Sequence, residues 1–274
     1  MATTTKFLNK LQDKRVLIIG GSSGIGYGVA EGCLEFGAEV VIASRSRSKV
    51  ESAVSSLRAT YPQHAAKVRG HAITLDASPG VDVERDLVAL FEFATEGGTH
   101  PLDHVVETAG DLSLMGKVTL ATATPETLAK LASVRQFGVG MLAKVAARYV
   151  AKSAHSSFTM TSGVLIQRPR RGMAFTAAVG AAKEGLTRGL AVDMAPVRVN
   201  TVSPGAVETD LLFAQVAPDA GEEAKDQVRK TYAAMTLVGR TALPGDLAET
   251  YLALMRSGFQ TGTLVQVEGG YLLM

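Results

Sequence analysis

The residues Gly20-Gly21-Ser22-Ser23-Gly24-Ile25-Gly26 follow the apolar run Val16-Leu17-Ile18-Ile19 and lead into apolar positions at Ile25, Val29, Cys33 and Phe36, spaced as one helix face. Glycines at a strand-to-helix turn let the backbone approach a pyrophosphate, and the free N–H groups and dipole of the helix start favour the anion. A tight turn alone could need two of these glycines. The strand before and the helix after are what point to a dinucleotide. The end of the next strand decides which one. A carboxylate there would accept from a ribose 2′-OH, whereas a 2′-phosphate needs a cation. The sequence reads Ser44-Arg45-Ser46-Arg47, with no acid. NADP(H) is therefore expected, with Arg45 on the phosphate and Ser44 and Ser46 as hydroxyl donors.

These residues need elements to hold them. The chain has 274 residues, 46% hydrophobic and 20% charged, enough for one α/β domain with a buried core. Its formal net charge of +2 argues against nucleic acid as a partner, and Arg168, Arg170 and Arg171 read as a solvated face. The single cysteine, Cys33, excludes an internal disulfide, fits a reducing compartment and reads as a small core residue. No apolar run reaches the roughly 18 residues of a membrane span, and residues 1–14 show no signal-peptide pattern. A cytoplasmic protein with no membrane partner and no metal site is expected.

Short apolar runs alternate with segments of helical period. After the first strand and helix, Gly37 closes the helix and 38–43 reads as strand. Then follow helix 49–60, strand 67–75, helix 83–95, strand 104–106 and a long helical stretch 125–150. Strand 157–161, helix 176–194, strand 197–202 and strand 264–267 complete the pattern. Strands joined by such helices cannot be hairpins, so the expected fold is a Rossmann-type doubly wound parallel sheet of about seven strands with helices on both faces. Residues 203–236 look least regular, polar around Gly221-Glu222-Glu223, and long enough for a lid.

The glycine spacing, a glycine, three residues, then Gly-Ile-Gly, resembles the short-chain dehydrogenase/reductase family, and the resemblance covers almost the whole chain. It implies that Asp76 contacts the adenine. It also places Thr108, Ala109 and Gly110, in Glu107-Thr108-Ala109-Gly110, at the family's Asn-Asn-Ala-Gly turn. The stretch Arg198-Val199-Asn200-Thr201-Val202-Ser203-Pro204-Gly205 resembles the sixth strand and the Pro-Gly turn beside the nicotinamide. Val207 and Thr209 fall where the carboxamide and pyrophosphate are bound, and Val267-Glu268-Gly269-Gly270 resembles the family's C-terminal Val-Asp-Gly-Gly.

The family reduces carbonyls with Ser, Tyr and Lys, supported by an Asn on the long helix. The resemblance carries over Ser162 as a substrate contact and Lys183 as a ribose holder. It fails at Val179, which occupies the tyrosine position four residues before Lys183, and at Arg135, which occupies that of the asparagine. Valine donates no proton. Hydride addition to an iminium carbon gives a neutral amine without an acid, whereas a ketone becomes an alkoxide. Phe175, one turn earlier, is no donor either. Asp111, Tyr149, His155 and Tyr232 are donors by chemistry alone, and nothing in the spacing selects one.

A tyrosine-less subset of the family is similar in having Arg at the asparagine position and an Arg-Pro loop after the serine. It includes fungal alkaloid-pathway proteins that reduce an iminium and shape a cyclisation such as a Diels–Alder reaction. The acid of that loop has no counterpart in Gln167-Arg168-Pro169-Arg170-Arg171-Gly172. Three functions stay open: an NADP(H)-dependent oxidoreductase of an imine, iminium or unusual carbonyl in a small secondary metabolite, a non-redox cyclase with NADP(H) as part of its pocket, and a silent NADP(H)-binding protein. Ser162 could instead cap a turn, Lys183 could be solvated, and Arg135 could pair with an acid. The resemblance also implies a homodimer or homotetramer built on the helices 125–150 and 176–194, whose apolar faces could equally be core.

Overall fold

Alternate residues of the central strands face opposite ways, which divides the core in two. Leu17, Ile19, Val41, Ala43 and Val105 belong to one buried cluster, and Val16, Ile18, Val40, Ile42 and Val106 to the other. In the computed structural model, which describes residues 5–78, 80–110, 113–214, 216–217 and 221–274, these runs are β1 (Arg15–Ile19), β2 (Glu39–Ser44) and β4 (His104–Glu107). With β3 (Val68–Ala72), β5 (Ser157–Thr161), β6 (Arg198–Pro204) and β7 (Leu264–Val267), they form a seven-stranded sheet of order β3-β2-β1-β4-β5-β6-β7. Every pairing is parallel. The expected doubly wound fold is the observed one, and the order in which strands are added reverses between β1 and β4. A ligand crevice opens at such a switch point.

The helices α1 (Gly24–Glu35), α2 (Arg47–Thr60) and α3 (Val83–Thr95) follow the first three strands. Gly37 takes φ +78°, as a left-handed helix stop requires. Cys33 is fully buried, and burial pushes its thiol up to about 12, so it is an inert core residue.

Three expectations are corrected. The stretch 125–150 is not one helix. It runs as α4 (Pro125–Ala132), a π-helical turn (Ser133–Gly138) and α5 (Val139–Tyr149). The widened turn leaves the Ser133 carbonyl to accept from Ala77 N–H at 3.4 Å, and such turns collect at functional positions. Residues 203–236 are not a bare loop, because they contain α7 (Asp210–Phe213) and α8 (Glu222–Ala233) around the undescribed positions. Glu222 and Glu223 lie in the first turn of α8, where carboxylates favour the helix dipole. Finally, between α6 (Ala174–Asp193) and β7 lies α9 (Pro244–Arg256), which the periodicity reading passed over. Pro244 opens it, and Asp246 accepts from Leu243 N–H at 2.7 Å. It lies close on α1: a Cβ at Gly32 would come within 2.7 Å of Leu252. Among the described residues, no helix is long and apolar enough to cross a membrane.

Candidate functional site

The turns leaving β1 and β4 abut at the switch point. Gly20, at φ +89°, has no room for a Cβ, which would fall 2.5 Å from Thr108 Oγ1 and 2.8 Å from Ala109 N. Gly26 is closed in the same way by Gly20 O and Thr108 Oγ1. Gly24, at φ +54°, faces Thr209, whose Cγ2 would lie 2.9 Å from a Cβ. Ser23 makes no side-chain cap at the start of α1, so the N–H groups there are offered to the crevice. Backbone alone fits so close, and the uncapped helix start is what a pyrophosphate needs; the residues present fit a dinucleotide.

A cavity of about 320 Å³ opens over these turns. Its wall includes Gly20, Ser22, Ser23, Gly24, Ile25 and Gly26 from the glycine turn, and Ser44 and Arg45 from the end of β2. Thr108, Ala109 and Gly110 line it from β4, Pro204 and Thr209 from β6, and Arg135 and Ser162 from the substrate side. Sequence reasoning missed Ile19, Ile73, Leu75, Val134, Thr161, Asp210 and Leu211, which also line it. Ile73 and Leu75 are there because β3 ends at Ala72, short of the expected 75. Ile73, Thr74 and Leu75 keep a strand's buried-exposed-buried alternation, so the sequence carries no signal that the pairing stops at Ala72.

Five expected cofactor residues stand outside the wall. Ser46 caps α2, accepting from Lys49 N–H at 3.4 Å. Asp76 accepts from the Ser78 hydroxyl at 2.7 Å and its N–H at 3.0 Å, which holds its carboxyl below the usual range. Gly205 packs against Glu268, and Val207 is buried and bridges to Ala242. Lys183 is the largest departure: its Nζ donates to Glu107 Oε2 at 2.6 Å and to Thr161 O at 2.7 Å, with both charged side chains at or below 1% exposure. Desolvation lowers the lysine's pKa, Glu107 opposes that and Arg135 adds to it. The remaining carboxylate oxygen, Glu107 Oε1, is buried with no hydrogen-bond partner among the described residues.

Among the described residues that line the cavity the only acid is Asp210, beside Thr209. Ser162, 8% exposed, already donates its proton to Gly180 O at 3.0 Å, so it presents lone pairs to the cavity. Arg135, set on the π-helical turn, lies against Gly110, where a Cβ would fall 2.7 Å from its Nη2. Val179 and Phe175 pack with Val118, Leu131 and Ala132 in a small apolar cluster. His155 precedes β5, and the Tyr149 carbonyl accepts from Leu102 N–H just before β4. Both therefore sit at the wrong end of the sheet to reach the cavity. Asp111 lies outside the described residues. Tyr232 is on α8, its ring 4.8 Å from the Arg170 guanidinium and its hydroxyl accepting from Arg170 at 3.1 Å. Arg168 likewise stacks at 4.7 Å on Tyr271 and donates to its carbonyl. Those two arginines, expected as a merely solvated face, tie the loop after Ser162 to α8 and the C-terminal residues.

A larger groove of about 380 Å³ lies at the opposite ends of the strands, bordered by Arg15, Glu39, Lys67, Arg69 and Glu96. Its charges are engaged, Arg15 with Glu39 and Glu96, Arg69 with Glu96, and Lys67 with Asp13. The chemistry belongs to the smaller cavity. No group of three or more His, Cys, Asp or Glu placed to hold a metal occurs among the described residues.

Comparison with known proteins agrees with this geometry. The chain is 42% identical over 275 residues to the short-chain dehydrogenase/reductase ucsE of Acremonium sp, across 100% of both chains. Its fold is similar to the MalC reductase/Diels-Alderase of Malbranchea aurantiaca, with TM-score 0.88, 33% identity, and coverage of 97% of this chain and 99% of that one. It is also similar to an NADPH-bound short chain oxidoreductase of Pseudomonas aeruginosa PAO1 with an atypical catalytic center, at TM-score 0.81, 25% identity, and coverage of 94% and 98%. Residues 7–274 match the model of the SDR-like Rossmann domain, and the chain belongs to the short-chain dehydrogenase/reductase family.

Proposed function

We propose that this chain is an NADP(H)-dependent oxidoreductase acting on an imine or iminium, or an unusual carbonyl, of a small secondary metabolite. The observation that carries the reading is Ser162. Its hydroxyl lies 3.0 Å from Gly180 O; with the proton on that carbonyl the oxygen accepts a hydrogen bond towards the cavity, which suits a protonated imine N–H. Val179, where the family pattern has tyrosine, supplies no acid for an alkoxide. When bound, NADP(H) supplies or takes up hydride at its nicotinamide ring. The start of α1 receives the pyrophosphate, Arg45 the 2′-phosphate, and Arg135 and Ser162 orient the substrate. The test is NADPH oxidation with a panel of cyclic imines and matched ketones. Turnover of imines is expected, and turnover of ketones alone would overturn the reading.

A second reading, a cyclase using NADP(H) as part of the pocket wall, is favoured by the likeness to a reductase/Diels-Alderase. Product formed without NADPH consumption would select it, and dinucleotide binding with no product from any substrate would select a silent binding protein.

The choice of NADP(H) rests on Arg45, which is exposed on the cavity rim beyond β2. Arg45→Ala is expected to weaken NADPH binding by roughly 1.5–3 kcal/mol, the scale of a charge-assisted contact, and to leave NADH almost unchanged. Titration calorimetry with both cofactors checks this, and equal losses would remove Arg45 from the phosphate site.

A further inference from the structure

Two departures from the family pattern bear on Lys183. Val179 stands one turn before it on α6, and Glu107, at the end of β4, takes its ammonium at 2.6 Å. The Thr161 carbonyl takes a second N–H at 2.7 Å. Thr161 and Ser162 line the cavity, but Lys183 does not. Its amino group is engaged behind the wall. Two of its three N–H groups are taken and the side chain is 1% exposed, so to reach a ribose it would have to move away from a buried carboxylate that already has one oxygen unpaired.

We propose that Glu107 is a positioning residue that holds Lys183 back from the dinucleotide, so that the lysine serves as an internal counter-ion and not as a ribose ligand. The inference rests on reading the cavity as a dinucleotide site. Glu107 and Val179 are then one change in two parts: with no phenol to assist, the lysine is bound inward by a carboxylate. Burial and the nearby Arg135 depress the ammonium's pKa and Glu107 opposes that only in part, beside the 2.6 Å contact that pairs the two charges.

The test uses whichever of NADPH and NADH the wild-type chain binds, so a wrong choice between them does not touch it. Loss of a charge-assisted contact to the cofactor would weaken binding roughly tenfold or more. The double variant Glu107→Leu/Lys183→Met, which removes both charges together, is expected to bind the dinucleotide within about threefold of wild type by fluorescence titration. A larger loss would show that Lys183 holds the cofactor and overturn the proposal. The single variant Glu107→Asn frees the ammonium while keeping a polar partner. It is expected to tighten dinucleotide binding by about threefold or more, a gain that Glu107→Asn/Lys183→Met abolishes. Unchanged affinity in Glu107→Asn would also overturn it. A merely structural Glu107 would give no gain for the lysine substitution to remove.

Discussion

Replacing Lys183 with methionine is expected to destabilise the fold by about 3–5 kcal/mol, and replacing Glu107 with leucine as well is expected to restore most of that loss. The single substitution leaves a carboxylate of 0% exposure without its ammonium. Its Oε2 keeps only the Thr161 N–H at 3.4 Å, and Oε1 has no partner among the described residues. Desolvated charge in that state is far costlier than the pair was, whereas two apolar side chains of similar volume need no partner. Urea unfolding of the two singles and the double gives the coupling directly. Additive losses would mean the residues do not act as a pair.

Stability is expected to fall as the pH drops from about 6.5 to about 3, by up to about 1.4 kcal/mol per pH unit from one residue. His104 is 1% exposed at the start of β4, with Nδ1 2.9 Å from Ser157 Oγ. Desolvation holds its imidazole down at about 3, with Asp103 opposing and Arg198 and Lys14 assisting. Below the ordinary histidine range the unfolded chain takes up a proton that the folded chain refuses. Unfolding therefore binds protons, and acid favours it. Above about 6.5 both states are neutral and the residue contributes no slope. His104→Asn keeps a polar partner for Ser157 without the titration. Its unfolding free energy measured between pH 7 and 4 should decline less steeply than that of wild type. Parallel curves would show that His104 is not the source.

The crevice was legible because its parts are local. A strand, a glycine turn and a helix start are contiguous in residues 15–35, Ser44 ends β2 and Arg45 follows it directly. The apolar periods likewise gave α3, β5 and β7 their observed bounds. What could not be read locally was pairing. Glu107 and Lys183 are 76 residues apart, and no spacing rule joins them. The signal was there only as a coincidence of departures, a Glu and a Val where the family pattern has Asn and Tyr. The π-helical turn was hidden because its contacts are not local: Ser133 O accepts from Ala77 N–H, and Gly138 is approached closely by Leu75. The apolar residues Leu247, Tyr251 and Leu254 of α9 are spaced as a helix face, and the start at Pro244 could have been recognised.

Arg198 gives the last third of the chain a common fate. From β6 its guanidinium donates to Ala154 O at 2.7 Å, to Leu254 O at 2.6 Å and to Met255 O at 3.0 Å. The last two are end-of-helix carbonyls of α9 that would otherwise lack partners. Because α9 rests on α1 through Gly28 and Gly32, the helix whose first turn faces the crevice is fastened to β6, three strands away from β1. Local opening of α9 would thus loosen the anion-facing end of α1. Amide exchange in the two helices should follow one cooperative unit, with a bound dinucleotide slowing both.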